Sequence, residues 1–145
     1  MPYNHHDVIE QLNIVLKAQL ACVNQCFLHA RILKHQGLMD LADGEYKESI
    51  DAMKFADKLL ERILSLGGMP NMQDMGKFKT GQAVHDMMAF DLELKEQNKR
   101  LMEHARSCCA ARADQISVDL LAKMLDSVNE HIAYLRAQPA KPSAA

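Results

Sequence analysis

The chain has no tryptophan, and its 145 residues include only 3 tyrosines, 4 phenylalanines, 6 glycines and 4 prolines. Sheets draw on aromatic residues for their strands and on glycine and proline for their turns, so this scarcity argues against them and favours long helices. A strong charge of either sign is also missing. The formal net charge is -2, which gives no basic footprint for nucleic acid. No apolar run is long enough to span a bilayer, and the start of the chain lacks the pattern of a signal peptide, so neither membrane nor export is expected and the cytoplasm is. The cysteines are Cys22, Cys26, Cys108 and Cys109. One adjacent pair and one pair four apart make a poor disulfide framework, and reduced thiols are the simpler expectation.

What is present is ordinary for one globular domain: 48% hydrophobic and 25% charged residues, with 10 methionines. Four amphipathic segments stand out. The first runs from about Asp7 to His35 and carries Val8, Leu12, Val15, Leu16, Leu20, Val23, Phe27 and Leu28, with Asp7 and Glu10 at capping-box spacing. The second, Asp40 to Leu66, carries Ile50, Met53, Leu60, Ile63 and Leu64. The third spans about Gln82 to Ala110 and the fourth about Ala113 to Ala137. Between the second and third lies Gly67 to Gly81, with Gly67, Gly68, Pro70, Asn71 and Gly76. It is too long for a tight helix–helix turn and predicts a crossover along the bundle. The expected architecture is all-α, a four-helix bundle over residues 1–138 with the long-crossover ferritin-like topology. Residues 139–145, with Pro139 and Pro142, have the composition of a flexible tail.

Four stretches carry a more specific signal: Asn24-Gln25-Cys26-Phe27-Leu28-His29-Ala30-Arg31, Glu45 to Arg62, Pro70-Asn71-Met72-Gln73-Asp74-Met75-Gly76-Lys77, and Asp119 to Leu135. In these the chain resembles the bacterioferritins, the haem-containing bacterial ferritins, from Val8 to Leu135. The resemblance implies a hollow shell of many bundles storing ferric mineral. It also implies b-type haem at each two-fold interface, held by one Met from each subunit of a dimer. A short fifth helix, usual in the family, is missing from the sequence here.

The family's di-iron site takes one Glu from each of two helices and a Glu-x-x-His from each of the other two. At the matching positions this chain has Gln19, Ala52 with Phe55, Lys95, and Val128 with His131. Four carboxylates that would offset two divalent cations are replaced, and a cation is added. Glu93 and Glu130 lie two residues from ligand positions, about 200° round a helix, and are expected to face away. The haem pocket is matched instead. Met53 stands at the ligand position, with Leu20, Val23, Asn24, Phe27, Tyr46, Ile50, Lys54 and Ala56 at positions the family packs around the porphyrin.

The implied function is an iron-storage subunit that binds haem through Met53, lacks the ferroxidase centre and co-assembles with a ferroxidase-competent bacterioferritin subunit. An active ferroxidase with a rearranged iron site is the alternative, and a bundle with neither haem nor iron is a third. Plainer readings stand beside several residues. His131 reads as a hydrogen-bonded core residue and Lys95 as either snorkelling or paired with a buried acid. Cys26, where the family usually has Tyr, reads as a small core residue. His5 and His6 read as a disordered terminus. Glu45, Glu48 and Asp51 read as a solvated helix face, or one turned toward a mineral cavity.

Overall fold

The computed structural model describes residues 5–74 and 76–138. It contains α1 (His6–His35), α2 (Met39–Ser65), α3 (Val84–Ala111) and α4 (Gln115–Ala137). α1 packs on α2 and α3, and α4 closes the square against α3 and α2. The sequence segments match these helices to within two residues or so. The expectations for the tail fall on residues outside those described.

Three helix ends share one device. The amides of Leu38, Gly68 and Asp114 return to the carbonyls of Leu33, Ile63 and Cys109, each at 3.0 Å, closing Schellman-type turns. Gly37 (φ 80°) and Gly67 (φ 83°) supply the left-handed residue in the first two. In the third it is Ala113 (φ 57°), a costlier choice for an L-residue. The sequence reading began the fourth helix at Ala113; that residue instead ends α3, and Asp114 caps α4 by accepting from the Ser117 amide. Asp7 does not cap α1 either. The helix starts at His6 with His5 as its cap residue, so both histidines are described rather than belonging to a loose terminus. Asp7 lies in the first turn and pairs with Arg112.

The crossover runs along α1. Asn13 donates to the Met69 carbonyl and accepts from the Asn71 amide. Lys17 meets Asp74 at 3.4 Å. Farther along, the Lys79 amide donates to Gln25 Oε1 and the Gly81 amide to His29 Nε2. The strap thus climbs α1 from residue 13 to residue 29, which sets α3 antiparallel to α1 and parallel to α2.

The main core gathers Val8, Leu12, Val15, Leu16, Leu59, Ile63, Met102, Leu121, Met124 and Val128. Most apolar positions picked out on α1 are buried there. α2 behaves differently. Its buried residues are Ala42, Glu45, Ser49, Ala52, Ala56, Leu59 and Ile63, an unbroken 3–4 spacing of mostly small or polar side chains. Of the larger apolar residues singled out on that helix, Ile63 is buried and Leu60 packs partly buried against the core, whereas Ile50, Met53 and Leu64 are exposed.

Candidate functional sites

Two places in the bundle concentrate functional chemistry: an exposed apolar face on α1 and α2, and a polar layer in the interior.

On α2, Tyr46, Ile50 and Met53 follow one another at spacings of four and three and so form one stripe. They are 47%, 39% and 51% exposed. Phe27 of α1, also exposed, meets the Tyr46 ring edge-on at 6.3 Å between centroids, and the Arg31 guanidinium lies over Phe27 at 5.6 Å. Leu20 and Val23 border the face and are nearly buried, Asn24 is half-buried, and Lys54 is exposed. Ala56 does not join them; it is buried in the main core, because it falls on the inward spacing of α2. Phe27, Tyr46, Ile50 and Met53 thus lie exposed on α1 and α2, while Leu20, like Ala56, belongs to the main core. An apolar surface with an exposed thioether suits a flat apolar group bearing a soft-ligand iron.

The interior layer gathers the positions that the sequence resemblance matched to a di-iron ligand set. Gln19 is buried, and its Nε2 donates to the Ala52 carbonyl at 3.5 Å. Ala52 and Val128 are buried and Phe55 is half-buried. Lys95, only 2% exposed, forms an ion pair with Glu48 of α2. Burial alone pushes the lysine's pKa down, but Cys22 and Glu48 beside it outweigh burial and hold it above the usual lysine range. His131 turns Nδ1 toward Glu48 at 3.6 Å, beyond hydrogen-bonding distance, and stacks on Tyr134 with centroids 6.0 Å apart. Burial and then Lys95 lower its pKa. Of the two readings of Lys95, pairing with an acid is the one observed. The expected hydrogen bond of His131 is not seen, as its buried Nδ1 has no partner. Glu93 and Glu130 are exposed, as the helix geometry predicts. This lining offers one imidazole nitrogen and a carboxylate already neutralised by an ammonium.

The comparisons with known proteins follow from here. The chain matches the ferritin-like domain family model over residues 9–143. It is 36% identical over 131 residues to a bacterioferritin of Brucella melitensis, covering 90% of this chain and 81% of that protein. A bacterioferritin of Mycobacterium leprae is 34% identical over 132 residues, covering 91% of this chain and 83% of its own length. One from Streptomyces coelicolor is 36% identical over 132 residues, covering 91% and 79%. The chain belongs to the bacterioferritin family. Among the described residues of this bacterioferritin, no helix is long and apolar enough to cross a membrane.

Sequence reasoning missed a second buried polar group beside the first. Glu45 and Asp91 are 3% and 1% exposed, so Glu45 is not on a solvated face; nor is Glu48, whose side chain is 12% exposed. Asp91 Oδ1 accepts from Gln25 Nε2 at 2.8 Å and contacts His29 Nδ1 at 2.9 Å. Because the Gly81 amide donates to His29 Nε2, the ring proton sits on Nδ1 and points at Asp91, leaving a neutral imidazole. Burial and the adjacent Asp91 push Glu45 up to about 11. Burial alone raises Asp91, but its contacts with His29, Glu45 and Gln25 win and bring it below the ordinary value. The signal was available in the sequence: position 45 continues the 3–4 spacing of 49, 52 and 56, which fixes its inward direction.

Proposed function

We propose that this bacterioferritin is an iron-storage subunit that dimerises around haem through Met53 and has no working di-iron ferroxidase centre. The observation that carries the reading is the exposed apolar face, with Phe27, Tyr46, Ile50 and Met53 on two adjoining helices and no covering element among the described residues. In the proposed dimer Met53 supplies a thioether, the aromatic and aliphatic side chains exclude water, and Lys54 and Asn24 lie at the polar margin. Bound haem supplies a one-electron centre, and thioether ligation suits electron transfer better than oxygen chemistry.

The second half of the proposal rests on Lys95. Its ammonium occupies the layer where two ferrous ions, the substrate of a ferroxidase, would have to sit, and Gln19, Ala52, Phe55 and Val128 replace anionic donors with neutral ones. These residues do not fit a pair of cations, and no oxidation step is assigned to them. A shell built from this subunit then relies on a ferroxidase-competent partner subunit for oxidation. The ferric mineral it stores arrives by that route.

The test is optical. Purified protein reconstituted with haem is expected to give a low-spin spectrum at about one haem per dimer, and Met53→Leu is expected to lose that spectrum while keeping its helix content. A spectrum unaffected by Met53→Leu refutes the assignment. Rapid ferrous oxidation by the pure protein refutes the second half and favours iron at a rearranged site.

A further inference from the structure

Cys26 Sγ, a carboxylate oxygen of Glu45 and a carboxylate oxygen of Asp91 lie within 4.8 Å of one another. All three side chains are buried, at 1%, 3% and 1% exposure. Glu45 Oε2 and Asp91 Oδ2 have no hydrogen-bond partner, although both are shut off from solvent. An unpaired buried carboxylate oxygen is costly. Two of them, together with a thiol, converge on one point. None of these residues is at positions 19, 52, 55, 95, 128 or 131, so the cluster is distinct from the vacated di-iron layer.

We propose that Cys26, Glu45 and Asp91 form a mononuclear site for a borderline-soft divalent cation of the zinc(II) type. The donor set selects the metal. A thiolate excludes magnesium and calcium, which take oxygen alone, while one sulfur and two carboxylate oxygens suit zinc. A tetrahedral zinc site needs donors about 3.5 Å apart, given metal–sulfur and metal–oxygen bonds of about 2.3 and 2.0 Å. From separations of at most 4.8 Å, the cluster reaches this by contracting up to about 1.3 Å through side-chain torsions. Cys22 Sγ lies 3.8 Å from Cys26 Sγ, outside the three-residue cluster. The outer contacts are already built. Gln25 and His29 both hold Asp91 Oδ1, which leaves Oδ2 for the cation, and both are tied to the crossover through the amides of Lys79 and Gly81.

Charge balance supports the same site. Without a metal, burial and the neighbouring acid keep Glu45 protonated, and Cys22 and burial keep the Cys26 thiol protonated. Entry of a divalent cation releases those two protons, so the buried net charge stays the same. The competing arrangement is a carboxyl pair that merely shares one proton.

Zinc alone is the probe. The full chain, stripped with a chelator and loaded with one equivalent of zinc, is passed through a desalting column and measured at the zinc absorption edge. A shell of sulfur at about 2.3 Å with oxygen at about 2.0 Å is expected. His104 and Cys108 form an exposed alternative pair, with Nε2 and Sγ 3.7 Å apart, so the measurement is repeated on Cys108→Ser. The sulfur shell is expected to survive Cys108→Ser and to be lost or diminished in Cys26→Ser. Glu45→Gln is expected to weaken zinc binding at least about tenfold, and it serves if Cys26→Ser fails to fold. Three results overturn the proposal: a shell of nitrogen and oxygen only, a sulfur shell that disappears with Cys108→Ser, or zinc affinity unchanged in Glu45→Gln.

Discussion

The Lys95–Glu48 pair offers a direct measure of how the buried polar layer is held together. Glu48→Ala removes the counter-ion and leaves an ammonium that is 2% exposed among Cys22, Cys26, Ala52 and Leu94. Removing one partner of a buried pair costs about 3–5 kcal/mol, because the other charge is left uncompensated. For a chain of this length each kcal/mol moves Tm by about 2–4 °C, so a drop of roughly 10–15 °C is expected. The penalty should shrink as pH rises, since without Glu48 burial favours the neutral amine of Lys95 and the variant's folded state gives up that proton. The double variant Glu48→Leu with Lys95→Met should recover most of the loss, because an apolar pair of similar volume is often neutral or stabilising. The assay is urea unfolding of both single variants and the double at one protomer concentration, which keeps assembly from entering the comparison. A Glu48→Ala cost below about 1 kcal/mol would mean that water reaches the ammonium, and the account of the layer as a closed ion pair would fail.

Other outcomes follow from single contacts. Ala113→Gly should stabilise the chain by up to about 1 kcal/mol, since glycine adopts the left-handed turn after α3 without steric cost; a loss of stability would refute this. Asp114 is pulled below its ordinary pKa because the bonds from Ser117 and Arg62 outweigh burial. Its stabilisation is therefore present above the unfolded value near about 4 and is lost as pH falls through the lower folded value. Asp114→Asn should flatten the acid limb of a pH–stability curve, and an unchanged limb would place the acid sensitivity elsewhere. Crystals soaked in ferrous iron should give no pair of anomalous peaks beside His131; two peaks a few ångströms apart there would restore a di-iron centre. Native mass spectrometry of the pure chain should find dimers or small assemblies, with a mixed shell on co-expression with a ferroxidase-competent subunit. A full-size homomeric cage at micromolar concentration would contradict this.

The helices were legible because their apolar spacing is long and little interrupted, and the crossover because Gly67, Gly68, Pro70 and Gly76 fall together. The α3–α4 boundary was displaced because alanine, a strong helix former, occupies the left-handed turn position, where glycine would have marked the end. α2 misled in a more instructive way. Over its first half the bulky apolar residues Tyr46, Ile50 and Met53 point outward and the inward line is Ala42, Glu45, Ser49, Ala52 and Ala56, so hydrophobicity alone reverses its faces there. Only the 3–4 spacing of the small residues gives the direction. The apolar face with Met53 was foreseen through the family resemblance, whereas Ala56 was carried along with it into the wrong environment. Glu48 as the partner of Lys95, and the convergence of Glu45 and Asp91 on Cys26, depend on contacts between helices far apart in sequence. No local pattern encodes those distances.

The crossover strap has a consequence for how the molecule comes apart. It is the one covalent connection between two antiparallel hairpins, α1–α2 and α3–α4, and it lies on the outside of the bundle, pinned to α1 by Asn13 near one end and by Gln25 and His29 near the other. A protease cut between about residues 72 and 78 would sever the chain without touching a core helix, and the two fragments would stay joined through the core and the strap's own anchors. The protein is thus divisible into two halves that should reassemble from separately expressed pieces, with the Lys95–Glu48 pair and the Asp91 cluster, both of which draw residues from each half, forming only on reunion.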